Sequence, residues 1–379
     1  MKYSFLILII FIFVVGCDSS VHSDIDTTLN KTILIHNIED STNIDDIIED
    51  YRLVPLSNRN DFLLSEIKQI VIFEDNIYVL SDGVFCFNMQ GNPIFKIIDK
   101  GHKKSELGHV SSISVQDSTL YVYDDTKQVI HLYNYKTGVF IENIDVPVAE
   151  NNIFRIKKCF LVDNFGFPSD FYDGKDLFLS CKGFKSQPDN AYLNEDLYKT
   201  PIEGQVTYNN THILFSDYYN NKVFRIDDKG CYLAYTVKYE NANTLSASLI
   251  NEMVNNGETF TNDSKYQYGL VNVYENDNYI VGQSYQGIYC NFIHNKKANY
   301  SIAFKKYYSK IFHLFPYTFL GVYKDYFFCV FLPEEILAAN EVYGFGDLLP
   351  SNNPNYKNQQ VLMKFKENDN PIIALYKFK

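Results

Sequence analysis

The side chains able to move a proton, hold a metal or attack a carbonyl are thinly spread along this 379-residue chain. The histidines are His22, His36, His102, His109, His131, His212, His294 and His313. No two of them stand four residues apart, the spacing with which a helix offers a pair of imidazoles to zinc. His102 and His109 flank one loop and form the best-placed pair. Adjacent acids occur at Asp124-Asp125, Asp227-Asp228 and Glu334-Glu335. They lie in turns or at a helix start, where solvated acids normally stand, so they carry little weight as acid–base partners. The string Gly282-Gln283-Ser284-Tyr285-Gln286-Gly287 is one residue too long for a nucleophile elbow and sits in a strand–turn pattern. Phosphate-binding, dinucleotide-binding, zinc-protease and calcium-loop motifs are absent. No residue is assigned as catalytic or metal-binding, and no cofactor is expected.

Chemistry would therefore need distant residues brought together by the fold. A polar residue precedes a short apolar run at NIYV (76–79), TLYV (119–122), DLFL (176–179), HILF (212–215), NYIV (278–281) and DYFF (325–328). The runs recur 36 to 66 residues apart, with a mean of about 50, which is in the range of four-stranded propeller blades. Three copies agree beyond the first strand. Each has an Asp near its end, then a strand of period two (VFCFN, VIHLYN, KVFRID), a Gly-containing turn, and a last strand (PIFKII, VFIENI, YLAYTV). A single blade cannot bury both faces, whereas blades stacked in a ring can. The prediction is an all-β chain, a six-bladed β-propeller of four-stranded antiparallel blades with short helical insertions. Degeneracy in the third and fifth copies leaves five or seven blades open. In such a ring Asn76, His212 and Asn278 would converge at the axis, as ordinary turn polarity or as a polar or metal site.

The insertions include TLSASLINEMVNNG (244–257), with Leu245, Leu249 and Met253 on one helical face and Gly257 to end it. PEEILAAN (333–340) reads as a helix with Pro in its first turn. Ring closure is expected from the strand-like stretches 33–36 or 51–56. Either would pair with the C-terminal blade formed by VLMKFK and NPIIALYKF. The widest loops, 181–201, 239–268 and 341–356, are the expected working surface, since a rigid scaffold places functional residues on loops. Plain solvated loops have the same composition.

The chain opens MKYSFLILIIFIFVVGCDSS. Its apolar run is too short to span a bilayer, which takes about 20 residues, and suits a secretory signal. Gly16-Cys17 directly after it resembles the bacterial lipobox, which implies cleavage before Cys17 and lipid on that residue; a few buried acyl chains hold a protein firmly. The domain plan is a signal peptide (1–17), a polar tether with a possible ring-closing strand (18–44) and the propeller (45–379). The tether proper runs from Asp18 to Thr32. A net charge of −12 argues against nucleic acid, which needs clustered Lys and Arg. The short basic pairs at 103–104, 157–158, 296–297 and 305–306 read as solvated strand edges. Cys86, Cys159, Cys181, Cys231, Cys290 and Cys329 contain no CxxC, and mostly free, buried thiols are expected. The 31 Tyr and 30 Phe suit strand packing. A sugar-stacking surface is a second reading, against which the absence of Trp counts.

IIEDYRLVPLS, IYVLSDGVFCFNMQGN and FLPEEI together resemble the six-bladed β-propeller lipoproteins of Gram-negative bacteria, distantly similar to NHL-repeat propellers. The resemblance covers about Ile47 to Phe378. It implies an extracytoplasmic protein anchored to a membrane, the outer membrane by analogy. That family's first interblade loop follows GxGxGPGEY; here Gly101 and Glu106 match it, while the inner Gly and Pro do not. Gly101, His102 and Glu106 are the candidate ligand-binding residues. The expected function is a binding or interaction module for a glycan, peptide or surface protein. The alternative is a propeller hydrolase or lyase with a polar or metal site at the axis. A purely structural subunit would instead expose a broad apolar patch.

Overall fold

The computed structural model describes residues 30–147, 152–163, 177–180, 190–191, 204–209, 212–227, 230–256, 265–309, 314–343, 350–353 and 355–379. His22, His313, most of the loop 181–201 and Cys17, the expected lipidation site, lie outside them. Among the described residues no helix is long and apolar enough to cross a membrane.

The strands assemble into six sheets. Sheet 1 holds Gln69–Phe73, Asn76–Leu80, Val84–Asn88 and Pro93–Ile97. Sheet 2 holds Val110–Gln116, Thr119–Asp124, Val129–Asn134 and Phe140–Asp145. Sheet 3 holds Asn152–Ile156, Cys159–Asp163, Leu177–Ser180 and Asn190–Ala191. Sheet 4 is built on Gly204–Asn209, His212–Asp217, Lys222–Asp227 and Gly230–Tyr239. Sheet 5 is built on Tyr266–Glu275, Tyr279–Tyr285, Tyr289–Asn295 and Tyr300–Tyr308. Sheet 6 holds Gly321–Tyr323, Tyr326–Phe331, Ile372–Phe378 and, from the other end of the chain, Ile48–Pro55. The arrangement is propeller-like.

The expectation of uniform four-stranded blades needs correction. Four sheets have that form; sheet 4 has five strands and sheet 5 has six. The extra strands come largely from the amino-terminal stretch. Lys31–Ile35 runs parallel to Tyr235–Tyr239 on the outer edge of sheet 4. Ile38–Asn43 does the same on the outer edge of sheet 5. Residues 33–36 therefore do not pair with the C-terminal blade. Their period-two pattern seats Ile33 and Ile35 among Val237, Tyr239, Leu270 and Val273, in the core between sheets 4 and 5. Closure falls to Ile48–Pro55, which runs antiparallel to Ile372–Phe378 with Tyr51 opposite Tyr376. VLMKFK is not a strand, since residues Tyr356–Met363 form a helix (α3).

Each central strand is apolar on both sides because each sheet packs against two neighbours. In Asn76–Leu80, Tyr78 and Leu80 enter the core shared with sheet 2. Ile77 and Val79, pointing the other way, enter the core shared with sheet 6. Burying such a side chain contributes about 1.5–3 kcal/mol. Further cores join sheet 2 to 3, 3 to 4, 4 to 5 and 5 to 6, which brings the packing back to its start. The predicted helices are present at Ala247–Asn256 (α1) and Pro333–Tyr343 (α2). Gly257 lies outside the described residues. Cys86, Cys231, Cys290 and Cys329 are free thiols, whereas Cys159 is in a disulfide.

Candidate functional site

First strands of neighbouring sheets touch: Gln69–Phe73 meets Val110–Gln116 and Gly321–Tyr323, and Tyr266–Glu275 meets Gly204–Asn209 and Gly321–Tyr323. They are the inner strands, with only the two-residue strand Asn243–Thr244 added beyond Tyr266–Glu275 in sheet 5. Where they turn into the second strands, four sheets enclose a cavity of about 690 Å³. Its wall comes from Phe73 and Glu74 of sheet 1, Asn209 and His212 of sheet 4, Glu275 to Asp277 of sheet 5, and Val322 to Asp325 of sheet 6. Arg225 and Lys296 reach in from third strands or their ends. The tight turns need left-handed backbone, and Glu74 (φ 52°) and Lys324 (φ 53°) supply it without glycine.

The centre of the site is Glu275, whose side chain is 1% exposed. Oε1 faces His212 Nε2 at 3.0 Å and the Arg225 guanidinium. Oε2 accepts from Lys296 Nζ at 2.7 Å and from Tyr235 Oη at 2.7 Å. Lys296 also donates to the Asn276 carbonyl at 2.5 Å. Burial alone would push the Glu275 carboxyl upward, but the His212 contact and the charges of Lys296 and Arg225 outweigh it and hold the group far below the usual carboxylate range. Burial and then the charge of Glu275 push the Tyr235 hydroxyl upward, so it stays a neutral donor. The Arg225 Nε is buried with no hydrogen-bond partner among the described residues.

Such a carboxylate has no proton to give near neutral pH and is a poor base, because four donors already occupy it. The cluster can set a fixed pattern of donors and acceptors in the wall of a cavity. Among the described residues no group of three His, Cys, Asp or Glu is placed to hold a metal.

The structure brings together only some of the residues picked from sequence. His212 is in the pocket. Asn76 lines a second cavity next to it. The backbone N–H of Asn278 donates to Asn276 Oδ1 at 3.0 Å and so shapes the turn beside it. Gly101, His102 and Glu106 are elsewhere, in the link from sheet 1 to sheet 2, at the opposite end of the strands. There Glu106 accepts from the Lys103 N–H at 3.0 Å and pairs with Lys103 Nζ at 2.9 Å. A Cβ on Gly101 would meet Glu106 Oε2 at 2.1 Å, so the backbone passes directly against that carboxylate. Lys127 Nζ ties the loop down through the carbonyls of Lys103 and Glu106. His109 pairs with Asp125 at 2.9 Å rather than with His102. Ser284 is buried against Tyr239 Oη at 2.6 Å.

Two readings of charged pairs are corrected. Lys296 is an ion-pair partner inside the pocket, not a solvated edge residue. Asp124 is fully buried and accepts from the backbone of Gly108 and Lys127. Sequence reasoning missed Glu275, Arg225 and Tyr235. The available signal was one acid closing the apolar run VNVYE just before a repeat turn.

The chain belongs to the family described as a domain of unknown function (DUF4934), whose profile matches residues 30–377. No curated protein sequence matches it. A Bacteroides fragilis protein described as a candidate exported protein superposes with a TM-score of 0.71 at 15% identity, covering 92% of this chain and 100% of that one. A member of the DUF4221 family from Bacteroides vulgatus gives 0.50 at 11% identity, covering 88% and 97%. At these identities the likeness is one of fold, a β-propeller.

Proposed function

We propose that this member of the DUF4934 family is an extracytoplasmic binding module, a propeller whose six sheets act as blades and whose axial pocket holds a small polar ligand. The single observation that carries the reading is the buried, fully partnered Glu275 in the wall of a 690 Å³ cavity. A site whose charges are fixed before the ligand arrives loses little on ordering, which favours binding. The same carboxylate is unsuited to proton transfer, so turnover is not part of the reading. Export is supported by the signal-like start with Cys17, where lipid would tether the chain to a membrane, and by the Cys159 disulfide, since such bonds persist in oxidising compartments. Residues 45–379 would form the ring, with the strands Lys31–Ile35 and Ile38–Asn43 laid on its outer edges and the chain before them serving as tether.

The test is thermal denaturation of the full chain against panels of oligosaccharides, peptides and divalent cations. A true ligand at about 100 times its Kd adds about 2.7 kcal/mol of stability. Replacing the exposed mouth residue with a bulky one, Asp277→Trp, is expected to abolish the shift. A shift that survives this variant, or turnover of the bound compound, would overturn the reading.

A further inference from the structure

A second cavity, of about 540 Å³, adjoins the axial pocket, and Tyr323 and Lys324 line both. Its lining follows sheet 6 outward, strand by strand. Lys324 stands at the inner turn, Tyr326 on the second strand, Leu375 on the third, and Arg52 and Val54 on the outermost. Asn76, Asn88, Met89 and Gln90 of sheet 1 face them. The cavity is therefore a radial groove between two sheets that opens into the axial pocket. Three strand spacings make it about 14 Å long, before the pocket is added.

Charge and hydrogen-bonding capacity decide what fits. Every cation along this path already faces a carboxylate: Arg225 and Lys296 face Glu275, Lys324 faces Asp75 at 3.2 Å, and Arg52 faces Asp50 at 2.9 Å. No cation is left over for an anionic ligand, and the remaining acids of the pocket wall, Glu74, Asp277 and Asp325, are exposed to solvent. What remains are amide side chains and two tyrosine rings held in place by cations, Lys324 lying 4.7 Å from the Tyr323 centroid and Arg52 4.7 Å from that of Tyr326. Amides and paired charges match hydroxyl groups, and a ring plane matches the C–H face of a sugar, so the tyrosines supply the flat surface that Trp would otherwise give. A peptide adding to the outer strand would need its free backbone edge. Asn358 of α3 occupies that edge, its Oδ1 accepting from the Leu53 N–H at 3.1 Å and its Nδ2 donating to the Tyr51 carbonyl at 2.6 Å.

We propose that the pocket and groove together take one uncharged oligosaccharide, lying radially along sheet 6 with its terminal unit at the axis. This rests on the reading of the axial pocket as a binding site.

The test is calorimetric titration of the full chain with neutral glucose, mannose and galactose series of one to six units, with acidic oligosaccharides, and with short peptides. The expected result is that a neutral series binds, with affinity rising about tenfold or more as units are added, in step with the hydrogen bonds gained. Binding should be nearly indifferent to salt, since no net charge is exchanged. Gln90→Ala and the groove-filling Met89→Trp are expected to remove the gain from chain length. Equal affinity for one unit and for longer chains would overturn the groove proposal and leave the pocket reading standing. Preference for acidic glycans or peptides, or no neutral glycan bound, would also overturn it. Neutral-glycan binding untouched by Asp277→Trp would overturn the pocket reading itself.

Discussion

Replacing Glu275 by Gln keeps its shape and removes its charge. The change strands the cations Arg225 and Lys296 around a neutral amide. Removing one partner of a buried ion pair costs about 3–5 kcal/mol. The carboxylate is 1% exposed, but Arg225 is 28% and Lys296 21% exposed, so water relieves part of the stranded charge. The low end, about 3 kcal/mol, is therefore expected. Over the roughly 350 residues of the domain, an unfolding entropy of about 2.1 cal/mol/K per residue converts this to a fall in Tm of about 4 °C. Calorimetry at neutral pH measures it, with Asp40→Asn as control, because that acid forms an exposed pair with Lys305 and its loss should leave the melt unchanged. The pH dependence has a definite sign. The folded carboxyl lies below its ordinary 4.5, so its stabilisation is fully present above that pH and is lost as pH falls toward the folded value. The gap between wild type and Glu275→Gln is thus widest at neutral pH and narrows in acid. A variant melting within about 1 °C of wild type at neutral pH would refute the argument that these cations depend on Glu275.

Asp217 behaves in the opposite sense: burial raises its carboxyl above the usual 3.8 despite accepting from Asn220 and Tyr219. Its ionisation therefore opposes folding as pH rises, and Asp217→Asn should gain on wild type from pH 3 to 7 in urea melts; a constant difference would refute this. Burial pushes the Cys86 and Cys231 thiols up to about 12 and Cys290 up to about 11. Iodoacetamide should label the buried Cys86 and Cys290 only after denaturation, and their labelling in the folded chain, read by mass spectrometry, would contradict their burial. Gly91 has φ 78°, and a Cβ there would sit 1.9 Å from the Pro55 carbonyl oxygen. Gly91→Ala is expected to cost about 1–3 kcal/mol in urea melts, and an unchanged midpoint would show that the turn relaxes freely.

The inner strands were legible because burial on two sides leaves an unbroken apolar run, as at Ile77 to Leu80, bounded by polar turns. Helices α1 and α2 were legible from a local face and a proline start. Other elements depended on distant partners. Ile33 and Ile35 read as a strand, but nothing near them says which of six edges they join. VLMKFK has the apolar content of a strand, yet it lies in and just after α3, where Asn358 caps the edge at Tyr51 and Leu53. The site was the least legible. His212, Arg225, Tyr235, Glu275 and Lys296 lie far apart in sequence and meet only when sheets 4 and 5 pack. Each alone is an ordinary residue of a strand or of the turn that follows it.

The amino-terminal stretch crosses three successive outer edges, Lys31–Ile35 on sheet 4, Ile38–Asn43 on sheet 5 and Ile48–Pro55 on sheet 6. A load applied at that end therefore reaches the molecule at its circumference, not at the mouth of the pocket. The first strand to peel leaves sheet 4 with its own four strands, and the second leaves sheet 5 intact within itself. Only when the third lets go does a sheet fall to three strands and the circle open. Tension at that end would therefore strip the two added strands before any sheet drops below four.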